Sequence, residues 1–197
     1  MKVLSWNARG LGSLRKQRLL KKKITQEKPD MVFLQETKCT IQKQSEITKN
    51  LSKHLEHLAV EGTGMSGGLA ILWNPNVYHL INAEAAKHFL ALQMQIIGEE
   101  GSFLFVNIYS PQRLDDKLML LRQLTSLHHR HSNSRALYGG DFNMITSLEE
   151  KKGGIIILSN EAHAFNAFIQ DISLVDIKPS NGLYTWTNRQ GGERLIA

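Results

Sequence analysis

The sequence holds one cysteine, four prolines and only 7% aromatic residues in 197 positions. A lone Cys39 cannot close an intramolecular disulfide, and it removes any Cys-based zinc centre from consideration. No apolar run approaches the roughly 20 residues that span a bilayer. The opening segment Met1–Asn7 turns polar too soon for a secretory leader. A cellular, non-secreted and membrane-free setting is therefore expected. Long charge blocks and low-complexity segments are also missing, and with 42% hydrophobic and 21% charged residues the composition is that of a folded globular chain, not a disordered one. The length suits one domain, and residues 1–197 are taken as such.

Acidic residues are scarce in the first third. Residues 1–60 hold 13 Lys/Arg against 5 Asp/Glu, a balance of +8, while the remainder holds 11 against 13, a balance of −2. That asymmetry fits an anionic partner on one side of the molecule. A solvated helix face accounts for Arg15, Lys16, Arg18, Lys21, Lys22 and Lys23 equally well.

Short apolar runs alternate with helical periodicity along the chain. Strands are predicted at Lys2–Trp6, Met31–Gln35, Leu69–Trp73, Tyr78–Ala83, Phe89–Ile97, Ser102–Tyr109 and Arg135–Tyr138. Helices are predicted at Ser13–Glu27, Ile41–Leu55, Asp115–His131 and Ser159–Ile172, the last with Ser159 as N-cap. The three runs from Leu69 to Ile97 lie too close together for crossover helices and read as an antiparallel meander. Two further strands are expected at Tyr184–Thr187 and from Arg194. The fold class is α/β (α+β), a four-layer sandwich of two mixed sheets face to face with helices outside.

Three strands end on polar groups. Gly139-Gly140-Asp141-Phe142-Asn143 follows one, and its glycines allow close backbone approach. An extended segment would put Asp141 and Asn143 on one side. Leu34-Gln35-Glu36-Thr37 ends another on a carboxylate, and Ser5-Trp6-Asn7 a third on an amide. Strand ends of this kind can converge at a sheet edge, and one or two carboxylates plus a substrate phosphate commonly hold Mg²⁺. Gly62-Thr63-Gly64-Met65-Ser66-Gly67 spells a dinucleotide fingerprint but precedes a strand, so a loop is expected there instead. His128, His129 and His131 end a helix, where cationic groups suit the dipole.

In order, Trp6-Asn7, Leu34-Gln35-Glu36-Thr37, Asn107-Ile108-Tyr109-Ser110-Pro111 and Gly140-Asp141-Phe142-Asn143 resemble the endonuclease/exonuclease/phosphatase superfamily. Within it, Trp6-Asn7-Ala8-Arg9-Gly10-Leu11-Gly12, Gly67-Gly68-Leu69-Ala70 and Gly182–Asn188 look like the apurinic-type endonuclease domain of plant LINE (non-LTR) retrotransposons. The resemblance implies Mg²⁺, with Mn²⁺ as the alternative, held by Glu36 with Asn7 beside it. It implies that Asp141 activates water, that Asn143, Tyr109 and Asn7 contact the scissile phosphate, and that Arg9, Thr185, Trp186 and Asn188 contact DNA. The expected activity is nicking of DNA by a monomer, in the nucleus, beside a reverse transcriptase domain if the chain belongs to a longer polyprotein. The resemblance also implies an Asp and an Asp-His pair past Ala197, so the chain is expected to stop short of them and to be impaired. A non-catalytic remnant that binds nucleic acid, and a phosphatase or sphingomyelinase branch, stay open as alternatives.

Overall fold

The structure is a computed structural model that describes residues 1–63, 66–153, 160–182, 184–188, 190 and 195–197. It divides into two compact units, residues 1–110 with 131–142, and residues 111–130 with 143–197. Among the described residues, no helix is long and apolar enough to cross a membrane.

Among the described residues, the first unit contains every strand. They run β1 (Val3–Asn7), β2 (Met31–Gln35), β3 (Glu56–Thr63), β4 (Ser66–Trp73), β5 (Tyr78–Ala86), β6 (Phe89–Ile96), β7 (Ser102–Tyr109) and β8 (Ser134–Asp141). The same unit holds the helices α1 (Leu14–Glu27) and α2 (Ile41–Leu51). One sheet has the order β1-β2-β4-β3 and the other β5-β6-β7-β8. Each contains one parallel pair, β1 with β2 and β7 with β8. The remaining pairs are antiparallel, so both sheets are mixed.

Period-two alternation explains the layering. From β2, Met31 and Phe33 join Leu69, Ile71 and Trp73 of β4 in a core shared with Tyr78, Leu90, Leu92, Met94 and Phe105 of the second sheet. The alternate residues Val32, Leu34, Ala70 and Leu72 face the other way, onto Leu20 and Ile24 of α1 and Ile47 and Leu51 of α2. Strand β2 is buried on both faces, which is why its sequence is nearly all apolar. Burial of a side chain the size of Phe33 or Leu34 contributes about 1.5–3 kcal/mol each.

In the second unit, α3 (Leu114–Arg130) packs against α4 (Asn160–Asp171). Phe165 and Phe168 of α4 stack 6.3 Å apart. Asp115 and Asp116 occupy the first turn of α3, and His128, His129 and Arg130 its last, the charge order that a helix dipole favours. Lys152 and Ala197 exchange backbone hydrogen bonds of 2.6 and 3.0 Å.

Several sequence expectations need correction. The Leu69–Ile97 runs are not one meander: β4 lies in the first sheet and β5 and β6 in the second. Close spacing along the chain did not reveal that the connection changes sheets. Strand β3 was unforeseen, and α2 ends at Leu51, not Leu55, with β3 pairing against β4. In place of the expected loop, Gly62 pairs with Gly67 and Thr63 with Ser66 in that hairpin, while Gly64 and Met65 lie outside the described residues. The segment 184–188 has no strand, and neither does 195–197. Ser159 and Arg194 lie outside the described residues.

Two adjacent glycines in β8 carry different constraints. A Cβ on Gly139 would sit 3.2 Å from the ring of Phe33, so this glycine lets the sheets approach. Gly140 has φ +132, and a Cβ there would run into the backbone of Ile108 on β7. Gly140→Ala should therefore combine backbone strain of about 1–3 kcal/mol with overlap of similar size. Gly139→Ala should cost about 1 kcal/mol or less, since a ring can yield. Urea denaturation of both variants checks this, and equal losses would contradict it.

Candidate active site

The residues that end the inward-facing rows of three strands are polar, and they meet. On β1 the row runs Val3, Ser5, Asn7; on β7 it runs Phe105, Asn107, Tyr109; on β8 it runs Leu137, Gly139, Asp141. The parallel register sets Asn7 beside Gln35 and Tyr109 beside Asp141. Across the two sheets, Asn7 Nδ2 donates to Asp141 Oδ2 at 2.6 Å. A contact between residues 134 positions apart thus closes the end of the sandwich.

Glu36 reaches this point by a different route. In a regular strand it would point away from Gln35. It instead has φ +52, a left-handed conformation that ends the strand and re-aims the side chain. Its carboxylate is mostly buried, accepts from Lys38 Nζ at 2.9 Å and lies close enough to the Tyr109 phenol to raise its pKa. Burial, then the charges of Glu36 and Asp141, push the Tyr109 phenol above its ordinary range, while Arg9 opposes the shift. Tyr109 therefore keeps its proton and acts as a donor.

The loop after β1 is fixed by the start of α1. Lys16 Nζ donates to the carbonyls of Ala8, Arg9 and Gly10 at 2.8, 2.6 and 3.1 Å, and Gln17 Nε2 to that of Leu11 at 2.9 Å. From the other side, the N–H groups of Gly10 and Leu11 donate to the carbonyls of Glu36 and Thr37. Asn7 Oδ1 accepts from Arg9 N at 3.0 Å, which holds Arg9 at φ +45. Arg9 is exposed at the edge of the cluster.

The structure thus brings Asn7, Glu36, Tyr109 and Asp141 together within the first unit, with Arg9 beside them. Asn143 belongs to the second unit, and its φ of +49 breaks the extended segment that would have aligned it with Asp141. There, buried Lys117 donates to the Asn143 carbonyl at 2.8 Å and pairs with Glu161 at 2.6 Å. Thr185, Trp186 and Asn188 also lie in the second unit. Trp186 is 46% exposed, and Asn188 Oδ1 accepts from Gln190 N and Ile196 N. His131 bonds Glu84 at 2.7 Å. Lys16, expected on a solvated helix face, instead holds the loop after β1. The sequence assigns no role to Lys38, Lys117, Gln35 or Asn107. For the last two a signal existed: each is a polar residue where alternation calls for an inward apolar one.

Among the described residues no group of three His, Cys, Asp or Glu could hold a metal. The donors that do converge are oxygens, the carboxylates of Glu36 and Asp141 with amide and phenol groups beside them. Such a set suits a hard ion that keeps its waters and takes substrate oxygens, as Mg²⁺ does, and does not suit zinc.

The sequence model of the Endonuclease/Exonuclease/phosphatase family matches residues 4–195. The chain belongs to this family. Its fold is similar to the AP endonuclease LMAP from Leishmania major, with TM-score 0.71 and 16% identity over 87% of this chain and 66% of that one. The endonuclease domain of TRAS1, a telomere-specific non-LTR retrotransposon, gives TM-score 0.65 and 12% identity over 87% and 71%. D. rerio TDP2 complexed with single strand DNA product gives 0.58 and 16% over 90% and 66%. The chain spans about two thirds of the length of these structures. At such identities the likeness establishes the fold, the α/β sandwich of two mixed sheets. No curated protein matches.

The Lys16 clasp generates a direct expectation for this family member. Lys16→Met removes three donors from the loop, so amide exchange at Gly10 and Leu11 should accelerate about tenfold or more. Hydrogen exchange followed by NMR measures it. Unchanged protection at both amides would show that the clasp does not hold the loop.

Proposed function

We propose that this chain is a Mg²⁺-dependent phosphodiesterase that nicks DNA, the endonuclease of a retroelement related to plant LINEs. The observation that carries the reading is the meeting of Glu36, Tyr109, Asp141 and Asn7 at one end of the sandwich. DNA as the substrate draws on the basic first third of the chain and on the neighbours named for DNA-processing activity. Mn²⁺ is the alternative ion. A monomer acting in the nucleus, beside a reverse transcriptase domain where the polyprotein has one, completes the proposal.

The proposed division of labour rests on the family resemblance and is supported by the geometry of the cluster. Glu36 is the residue that would hold the metal, with Asn7 near it. When bound, Mg²⁺ neutralises charge that builds on the phosphate oxygens. The Asn7 amide donates to one carboxylate oxygen of Asp141 and so fixes the carboxylate. Asp141 would take one proton of the attacking water as the water oxygen bonds to phosphorus; the P–O ester bond opens and the leaving oxygen departs as an alkoxide that takes a proton from solvent. Tyr109, whose proton burial and its acidic neighbours help retain, would turn its single O–H from Glu36 toward the phosphate. Arg9 supplies positive charge at the rim, and Asn143, by its place in the Gly-Asp-Phe-Asn motif, is proposed as a further phosphate contact. Thr185, Trp186 and Asn188 are proposed DNA contacts on the same ground.

Nicking of supercoiled plasmid with and without Mg²⁺ tests the reading. Glu36→Ala should weaken the metal dependence and the rate together. Asp141→Asn should cost mainly rate, on the order of hundredfold. Full activity in Asp141→Asn, or nicking that survives chelation, would remove the proposed mechanism. Hydrolysis of inositol phosphates or sphingomyelin without plasmid nicking would favour another branch of the family.

A further inference from the structure

Beneath the candidate site the apolar gap between the sheets is crossed by a small polar network. Gln35 is 1% exposed and Asn107 fully buried. Gln35 Nε2 donates to Asn107 Oδ1 at 2.6 Å, sheet to sheet, and to Ser5 Oγ at 3.1 Å. Asn107 Nδ2 in turn donates to the carbonyls of Leu34 and Ala70 at 3.0 and 2.9 Å. Leu34 and Ala70 are register partners on β2 and β4, so a single amide from β7 grips two strands of the opposite sheet at one level.

The position of this network relates it to function. Ser5 is two residues before Asn7, Gln35 is one before Glu36, and Asn107 is two before Tyr109, whose register partner is Asp141. Every strand end that contributes to the cluster is thus tied within two residues of its tip, directly or through its register partner. Apolar contacts between sheets are non-directional and tolerate small slides. Hydrogen bonds have narrow windows of distance and angle. In a low-dielectric interior such a network is strong when satisfied, and all four amide N–H donors here have acceptors.

We infer that the Gln35–Asn107 bridge is a positioning device that sets the height of the two sheets relative to each other, and so the spacing of Glu36 and Asn7 against Tyr109 and Asp141. The inference rests on the reading of those strand ends as the hydrolytic site. Neither Gln35 nor Asn107 is assigned contact with substrate. Both act through their neighbours. A displacement of about 1 Å at a reacting centre can cost on the order of hundredfold in rate, so a buried amide pair has leverage beyond its share of stability.

The test uses Gln35→Met, which keeps volume and leaves the Asn107 bonds to Leu34 and Ala70 in place, and Asn107→Ala as a second variant. Leu92→Ala, buried in the same inter-sheet core on β6 and away from the site, serves as a destabilised control. Two readouts are taken at a temperature where all are folded. One is the NMR signal of the Asn7 side-chain amide, which reports its bond to Asp141 without requiring activity. The other is single-turnover nicking beside the Kd for uncleaved DNA. Expected for Gln35→Met are a displaced Asn7 amide signal and a rate lower by about tenfold or more, with Kd within about twofold. Leu92→Ala should keep both the signal and most of the rate. If the bridge variants match Leu92→Ala in both readouts, the network is only structural and the inference is overturned. If wild type never nicks DNA, the functional reading fails alone, and the Asn7 signal still decides whether the bridge sets the strand ends.

Discussion

The hydrogen bond from Gln35 to Asn107 joins two sheets whose shared core is mostly apolar side chains such as Phe33, Leu92 and Phe105, whose packing sets no fixed height. Such a core favours close packing and leaves the relative height of the sheets loosely determined. Burying two amides is costly unless their groups are paired, and here the donors are. The fold therefore accepts a polar element in its driest layer, and the consequence is a defined end to the sandwich. Asn7 and Asp141, brought together from opposite sheets, depend on that end being level.

The site above it is a balance of charge and conformation. Two carboxylates, Glu36 and Asp141, stand near a phenol whose proton they help retain. Lys38 compensates Glu36 directly, and Arg9 adds positive charge. Glu36, Lys38 and Arg9 all occupy left-handed backbone conformations that non-glycine residues seldom adopt. Three such residues around one cluster fit the tendency of strained backbone to gather where a side chain must be aimed. The loop bonds of Lys16 and Gln17, and the turn bond from Arg9 N to Asn7 Oδ1, are the contacts that hold part of this strain in place.

Much of the architecture was legible because the alternation is clear. Met31–Gln35 and Ser102–Tyr109 are strands with the bounds their apolar patterns indicate. The motif order pointed to the family, and the family match agrees. What failed were pairings and a weak strand. Nothing local in Leu69–Ala86 says that the chain leaves one sheet for the other after Trp73. Glu56–Thr63 mixes His57, Glu61 and Gly62 into a strand that takes its order from β4. In the site, Asn7, Glu36, Tyr109 and Asp141 could be named from their motifs. Their supports could not, because Lys16 acts through backbone carbonyls and Gln35 through a partner 72 residues away. Asn143 shows the limit of motif geometry, since its left-handed φ undoes the extended spacing read from sequence.

The central claim is that Glu36, at the levelled end of the two sheets, belongs to a centre for a hard divalent ion that acts on phosphodiesters. Anomalous diffraction from crystals soaked in Mn²⁺ tests it most directly, because the ion is located without reference to activity. The account predicts one strong anomalous peak within coordination distance of the Glu36 carboxylate, with Lys38 Nζ moved off it, and loss of that peak in Glu36→Ala. A Mn²⁺ peak elsewhere with none at Glu36, or a peak that persists in Glu36→Ala, would contradict it.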